Sequence, residues 1–206
     1  MKTVKKISFT AVFTFLIASA MAQNPAALQT AFGKSYESEQ ANNYSQAINE
    51  LKAVYKSDSY IMNVRLGWLC YLAKQYTESV SYYDKSISLK SYAIEARFGC
   101  IKPLSALENW EKVKMHYLEI LKIDPQNTVA NYWLGVIYYN RKDYANATKL
   151  FEKVVNLYPL DYDSVIMLAW SKLNCSKSAD AKVLFNQALI LRPDDSSALS
   201  GLKQIK

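Results

Sequence analysis

The sequence holds a single histidine, His116, and only three cysteines, Cys70, Cys100 and Cys175. It also has just five glycines and five prolines. One lone helical histidine reads as a surface residue and gives no base for acid–base chemistry. The cysteines have no zinc-ligand spacing, and no phosphate-cradling glycine loop or nucleophile elbow appears. The acids are scattered, so no carboxylate pair can be named. The scarcity of glycine and proline excludes a loop-rich or low-complexity chain. No block of five basic residues occurs despite a formal net charge of +7, and a nucleic-acid partner needs a clustered basic footprint. These absences together point away from an enzyme, a metalloprotein and a nucleic-acid binder, with no cofactor implied.

What the chain does have is hydrophobic and aromatic content: 50% and 13% of 206 residues. The first 22 residues are set apart. Lys2, Lys5 and Lys6 precede a short, mostly apolar run over Ile7–Ala20, and Ala20-Met21-Ala22 forms a small-x-small cleavage site. This pattern predicts a cleaved secretory signal peptide. The run is shorter than the roughly 20 apolar residues that span a bilayer. No cysteine lies near the site for a lipid anchor. The expected location is therefore the bacterial periplasm or the cell exterior, with no integral membrane span after cleavage. Exported chains can form disulfides. A Cys70–Cys100 bridge stays open beside the reading of both as buried small hydrophobes. Three glycosylation-type sequons, at Asn43, Asn146 and Asn174, are short enough to arise by chance.

From about Leu28 onward one pattern recurs. Thr128–Asp161 holds two apolar-periodic runs, Val129–Asn140 and Tyr144–Leu157, separated by Asn140–Asp143 and closed by Pro159. Pro125, Pro159 and Pro193 are 34 residues apart, as are Trp110, Tyr144 and Ser178, and Tyr117, Phe151 and Phe185. A fixed period of this size means a stacked array of like units. Leu134-Gly135, Tyr138, Tyr144, Ala147, Phe151 and Pro159 resemble the tetratricopeptide repeat, a helix–turn–helix unit. That resemblance covers nearly everything after the leader.

The resemblance implies an all-α fold: a right-handed α-solenoid with a C-terminal capping helix. A short segment over 23–27 would precede repeats at about 28–59, 60–91, 92–127, 128–161 and 162–195, with the cap at 196–206. The first repeat is degenerate, with Lys34-Ser35 in place of the Leu-Gly pair. In the third, Phe98-Gly99 takes that role. Pro103 then predicts a helix ending near Ile101 and a long turn over Leu104–Asn109. Gly67, Gly99 and Gly135 are expected where two helices approach most closely. Leu199 and Leu202 should cover the open end.

Burying each large residue is worth about 1.5–3 kcal/mol, against roughly 1–2 kcal/mol of backbone entropy per residue. A lone unit cannot offset that, so units must stack. The concave face is then read from positions three before, one after and four after each glycine. These are Val64, Trp68 and Tyr71; Ala96, Cys100 and Pro103; Tyr132, Val136 and Tyr139; Ile166, Trp170 and Leu173; and, in the first unit, Phe32, Tyr36 and Glu39. Nine of these form the expected partner groove: Tyr36, Val64, Trp68, Tyr71, Tyr132, Val136, Tyr139, Ile166 and Trp170. Aromatic, weakly charged faces of this kind mark interaction sites. Some of these aromatics could instead pack against adjacent first helices.

The family's clamp for a C-terminal carboxylate needs lysine and asparagine on these helices. Val64, Ala96, Tyr132 and Ile166 stand in the lysine places, and Trp68, Cys100, Val136 and Trp170 in the asparagine places. Chaperone-tail recognition is therefore rejected. The expected function is a non-catalytic scaffold binding a protein or peptide segment. The alternatives are glycan or small-ligand binding through the same aromatics, or structural self-assembly.

Overall fold

The structure, a computed structural model, describes residues 25–205, and the leader expected over residues 1–22 lies outside the described residues. Every regular element among the described residues is a helix. Five hairpins follow one another. They are α1 (Pro25–Gln40) with α2 (Tyr44–Lys52), α3 (Tyr60–Leu72) with α4 (Tyr76–Leu89), α5 (Ile94–Ala106) with α6 (Trp110–Ile123), α7 (Thr128–Asn140) with α8 (Tyr144–Leu157), and α9 (Tyr162–Asn174) with α10 (Ser178–Leu191). A last helix, α11 (Ser196–Gln204), closes the stack. Each helix packs on the next, and α3 on α5, α7 on α9 and α9 on α11 pack as well. The result is a right-handed α-solenoid in which first helices neighbour first helices. No helix among the described residues is long and apolar enough to cross a membrane.

Local chemistry sets the hairpins. Each inner turn has three residues, and the middle one sits in the left-handed region: Asn42, Lys74, Glu108, Lys142 and Ser176, with φ of 58°, 61°, 55°, 63° and 59°. None is glycine, so packing on both sides holds an unfavourable backbone in place. Side-chain caps restart the chain. Asn43, Asn109 and Asp143 accept from the amides of Gln46, Lys112 and Asn146 at the second helices. Asn127, Asp161 and Asp195 do the same for α7, α9 and α11. Each such cap contributes about 1 kcal/mol.

The step is constant once the second hairpin begins. Tyr60, Ile94, Thr128, Tyr162 and Ser196 start successive first helices, 34 residues apart. Only the first hairpin is short, because α2 has 9 residues where α4 has 14. This corrects the expected third unit. Its α5 does not end near Ile101 but runs through Pro103 to Ala106. Pro103, Leu104 and Ile101 are all buried against α4 and α6, and tertiary burial overrides the local cost of a proline. The carbonyls of Pro103 and Leu104 then accept from the amides of Leu107 and Asn109, so the turn has the ordinary length. Counting by 34, Cys100-Ile101 is the true equivalent of Leu66-Gly67 and Leu134-Gly135. The Phe98-Gly99 pair lies two residues out of register.

Ring-in-hole packing holds the units together. A Cβ on Gly67 would lie 3.0 Å from the Tyr83 ring, and one on Gly135 2.8 Å from Phe151. These glycines receive the ring of their own hairpin's second helix. Gly99 and Gly201 receive the ring of the preceding hairpin instead: a Cβ there would sit 2.3 Å from Tyr83 and 2.2 Å from Phe185. Tyr83 is thus held between Gly67 and Gly99. Ala47, Ala147 and Ala181 are fully buried on the second helices. The cap differs from expectation. Ala198 and Gly201 are its buried residues, Leu202 and Ile205 pack beside them, and Leu199 faces outward.

Candidate functional site

Counted in the corrected register, the positions expected on the inner face carry Phe32, Tyr36 and Glu39; Val64, Trp68 and Tyr71; Phe98, Lys102 and Ser105; Tyr132, Val136 and Tyr139; Ile166, Trp170 and Leu173. Ala96, Cys100 and Pro103 leave the face and are buried, because they were counted from the misplaced Gly99. Lys102, in their stead, is exposed on it.

The N-terminal part of this face is aromatic but already engaged. Tyr36 is 50% exposed, and the Arg65 guanidinium lies over its ring at 3.8 Å. Arg65 also pairs with the Glu39 carboxylate and donates to Ser35 Oγ at 3.3 Å. Glu39 accepts from Trp68 Nε1 at 2.6 Å, so one carboxylate joins α1 to α3 twice. Trp68 packs against Tyr71 with centroids 5.7 Å apart. Lys102 Nζ stands 5.5 Å and 5.9 Å from those two rings. Val64 is partly buried against the central core.

The C-terminal part is partly buried as well. Tyr132 meets Trp133 and Phe151 edge-on at 5.3 Å and 5.8 Å. Tyr139 meets Tyr144 at 5.3 Å. Val136 is half-buried beside them. Trp170 stacks edge-on against Phe185 at 5.1 Å and donates to Ser197 Oγ at 2.8 Å. Ile166 is enclosed, with 8% exposure, because α9 is flanked by both α7 and α11.

Two clefts each include residues of this face, Tyr132 in one and Ser105 and Val136 in the other. One, of about 690 Å³, lies between α7, the end of α8 and the start of α9. It is lined by Val129, Tyr132, Trp133, Leu157, Tyr158 and Leu160, with Asp161 and Asp163 among its wall residues. The other, of about 580 Å³, lies between α6 and α7, with Ser105 of α5 at one side. Trp110, Val113, Tyr117, Trp133, Val136 and Ile137 line it. Trp133 belongs to both clefts and is 49% exposed. It occupies the repeat position of Arg65, Gly99, Met167 and Gly201; at the two glycines a neighbouring ring tucks in, and here an indole stands instead. Trp133 and Trp110 were not among the expected groove residues. Trp110 is dictated by the repeat, and Trp133 lies one helical step off the counted face. Apolar and aromatic side chains make up most of both linings, with Asp161 and Asp163 at the first cleft and Asn140 and Arg141 at the second.

Two further expectations concern single residues. His116, expected at the surface, is 5% exposed, because the α4–α5–α6 junction closes over it. Cys70 and Cys100 are free, buried thiols.

Two tetratricopeptide-repeat family profiles match the chain, over residues 35–94 and 129–161. The chain belongs to the tetratricopeptide-repeat family. Solved structures share its fold. A tetratricopeptide repeat protein from Parabacteroides merdae is 18% identical, with a TM-score of 0.73 over 87% of this chain and 72% of that one. MamA is 14% identical, with a TM-score of 0.70 over 81% and 92%. YrrB, described as a tetratricopeptide protein with an unusual peptide-binding site, is 15% identical, with a TM-score of 0.69 over 87% and 94%. At these identities the likeness is one of fold. No curated protein matches the chain in sequence.

Proposed function

We propose that this tetratricopeptide-repeat chain is a non-catalytic protein–protein interaction scaffold of the bacterial cell envelope, seating an apolar segment of a partner protein along its inner face. The observation that carries this reading is the pair of clefts sharing the half-exposed Trp133. Contiguous exposed apolar surface of this kind is rare on monomers without a binding role, and tryptophan and tyrosine dominate binding hot spots. The peptide-binding site named for YrrB, on the same fold, supports the same direction. Export rests on the leader pattern over residues 1–22.

The test is a random peptide library selected against the full chain. Selected peptides should carry spaced aliphatic or aromatic residues. The double variant Tyr132→Ala, Trp133→Ala should weaken them at least tenfold while far-UV circular dichroism keeps the helical signal. Trp68→Ala combined with Tyr132→Ala asks whether the N-terminal rings take part. Equal binding to wild type and to both double variants would end the proposal. The mass of the mature N-terminus, taken from an expressing bacterium, tests cleavage after Ala22.

A further inference from the structure

Asp84, Cys100 and His116 come from three consecutive helices, α4, α5 and α6, at equal spacings of 16 residues. Their potential ligand atoms all lie within 4.8 Å of one another. Comparison among the repeats shows how unusual two of them are. Cys100 stands where Leu66, Leu134 and Leu168 stand in the other units. His116 stands where Tyr82, Leu150 and Leu184 stand. Two core positions have thus been given to a thiol and an imidazole, and the fold brings the two together. Cys100 is fully buried and His116 nearly so. Asp84 is exposed and approaches from the solvent side, its Oδ1 4.0 Å from Cys100 Sγ. His116 Nδ1 is buried without a hydrogen-bond partner among the described residues. An unsatisfied buried ring nitrogen is costly, and such an atom calls for an explanation.

We infer that Asp84, Cys100 and His116 form a three-ligand site for a divalent transition metal of the zinc type, clamping the second hairpin to the third. One thiolate, one imidazole and one carboxylate are the donor set of zinc and of its spectroscopic substitute cobalt. Calcium and magnesium require oxygen-rich shells that one carboxylate cannot supply. Tetrahedral bonds of about 2.0–2.3 Å place ligand atoms roughly 3.3–3.8 Å apart, so the three must draw in by about an ångström. Asp84, being exposed, is free to make that movement. A fourth position on its side stays open to water. Thiolate and carboxylate together neutralise the dication, which leaves no net charge in the core.

Protonation has a direction here. Burial pushes the Cys100 thiol up to about 12 and, with Asp84 opposing, pushes His116 down. The imidazole is therefore neutral and ready to bind. The thiol gives its proton to solvent as the sulfur–metal bond forms, so affinity rises with pH. Arg97 from α5 and Lys112 and Glu119 from α6 also act on these groups. This site is separate from the aromatic clefts and does not depend on what they bind.

The experiment titrates the chelator-treated full chain with Co²⁺ alone. A thiolate-to-cobalt charge-transfer band should grow and saturate at one ion per chain, and Zn²⁺ should raise the melting temperature. Asp84→Asn, an exposed change that leaves the core packing intact, should weaken Co²⁺ at least tenfold. Cys100→Ser should abolish the band, and Cys70→Ser and Cys175→Ser should keep it. Should Cys100→Ser not fold, Asp84→Asn decides. No band in the wild type, full affinity in Asp84→Asn, or a band lost only with Cys70 or Cys175 would overturn the site.

Discussion

Tyr83 and Phe151 hold the same place in their hairpins, yet their surroundings differ. Phe151 packs with Ala147 and Leu168 against Gly135. Tyr83 sits with Ala96 and Cys100, and Cys100 in turn approaches His116. The contrast extends along the stack. Arg65 and His116, the buried ionisable groups other than thiols and phenols among the described residues, both lie in the first three hairpins. The last two hairpins bury only small polar groups: Asn131, Thr148, Ser164 and Ser171. One geometric step is thus built twice, once with charge and thiol chemistry and once almost entirely with hydrocarbon. The backbone period tolerates both because each unit needs only a ring, a small residue and a neighbour.

Substitutions can break that contrast, beginning in the apolar half. Phe151→Ala removes a fully buried ring and should cost about 3–5 kcal/mol, measured as a lowered urea midpoint. Glu39→Gln strips a charge from the Arg65 pair and weakens the acceptor for Trp68. Arg65 is then left buried without its counter-ion, at a cost of about 2–3 kcal/mol given that Glu39 itself is partly exposed. Hydrogen exchange should show α1 opening first. Gly99→Ala forces a methyl into Tyr83 and should cost about 1–3 kcal/mol. Gly33→Ala meets nothing within 4 Å and should instead stabilise by about 0.5–1 kcal/mol. Thermal melts of the two glycine variants must therefore move in opposite directions.

The smallest effect is a pH dependence that arises in the third hairpin. Burial holds His116 below its ordinary value in the fold, so the unfolded chain binds the proton first. Stability is full above the unfolded value of about 6.5. It falls as pH drops from there toward the folded value, by at most about 1.4 kcal/mol per pH unit for one proton. Asp84 opposes the shift, while Arg97 and Lys112 reinforce it. With chelator present, His116→Gln should flatten the stability profile between pH 7 and 5. An unchanged slope would mean that His116 keeps an ordinary affinity for its proton.

The solenoid was readable in the sequence because its period is carried by many residues at once. Pro125, Pro159 and Pro193 agree with Tyr117, Phe151 and Phe185, so no single departure could hide it. The third hairpin hides its register for the opposite reason. Phe98-Gly99 imitates the Leu-Gly pair two residues away from the register that Trp110 and Tyr144 keep. That shift of two residues hid Lys102 and put Cys100 on the wrong side of α5. A strict count would have recovered both. Other features lie outside any count. Ile166 is enclosed because two helices flank α9, and Trp133 is half-exposed beside a cleft between α6 and α7. The burial of His116 is decided by α4 and α5. Each of these depends on distances between hairpins, which the pattern along one helix does not contain.

A coil spring is as stiff as its individual turns, and here the turns are unequal. Aromatic plugs seat in glycine sockets at Tyr83 and Phe185, but at the joint after the third hairpin the socket position carries the half-exposed Trp133, and a cleft lies open beside it. A pull on the two ends should therefore widen that joint before the plugged ones, and a guest wedged beside Trp133 would set the pitch of the whole molecule.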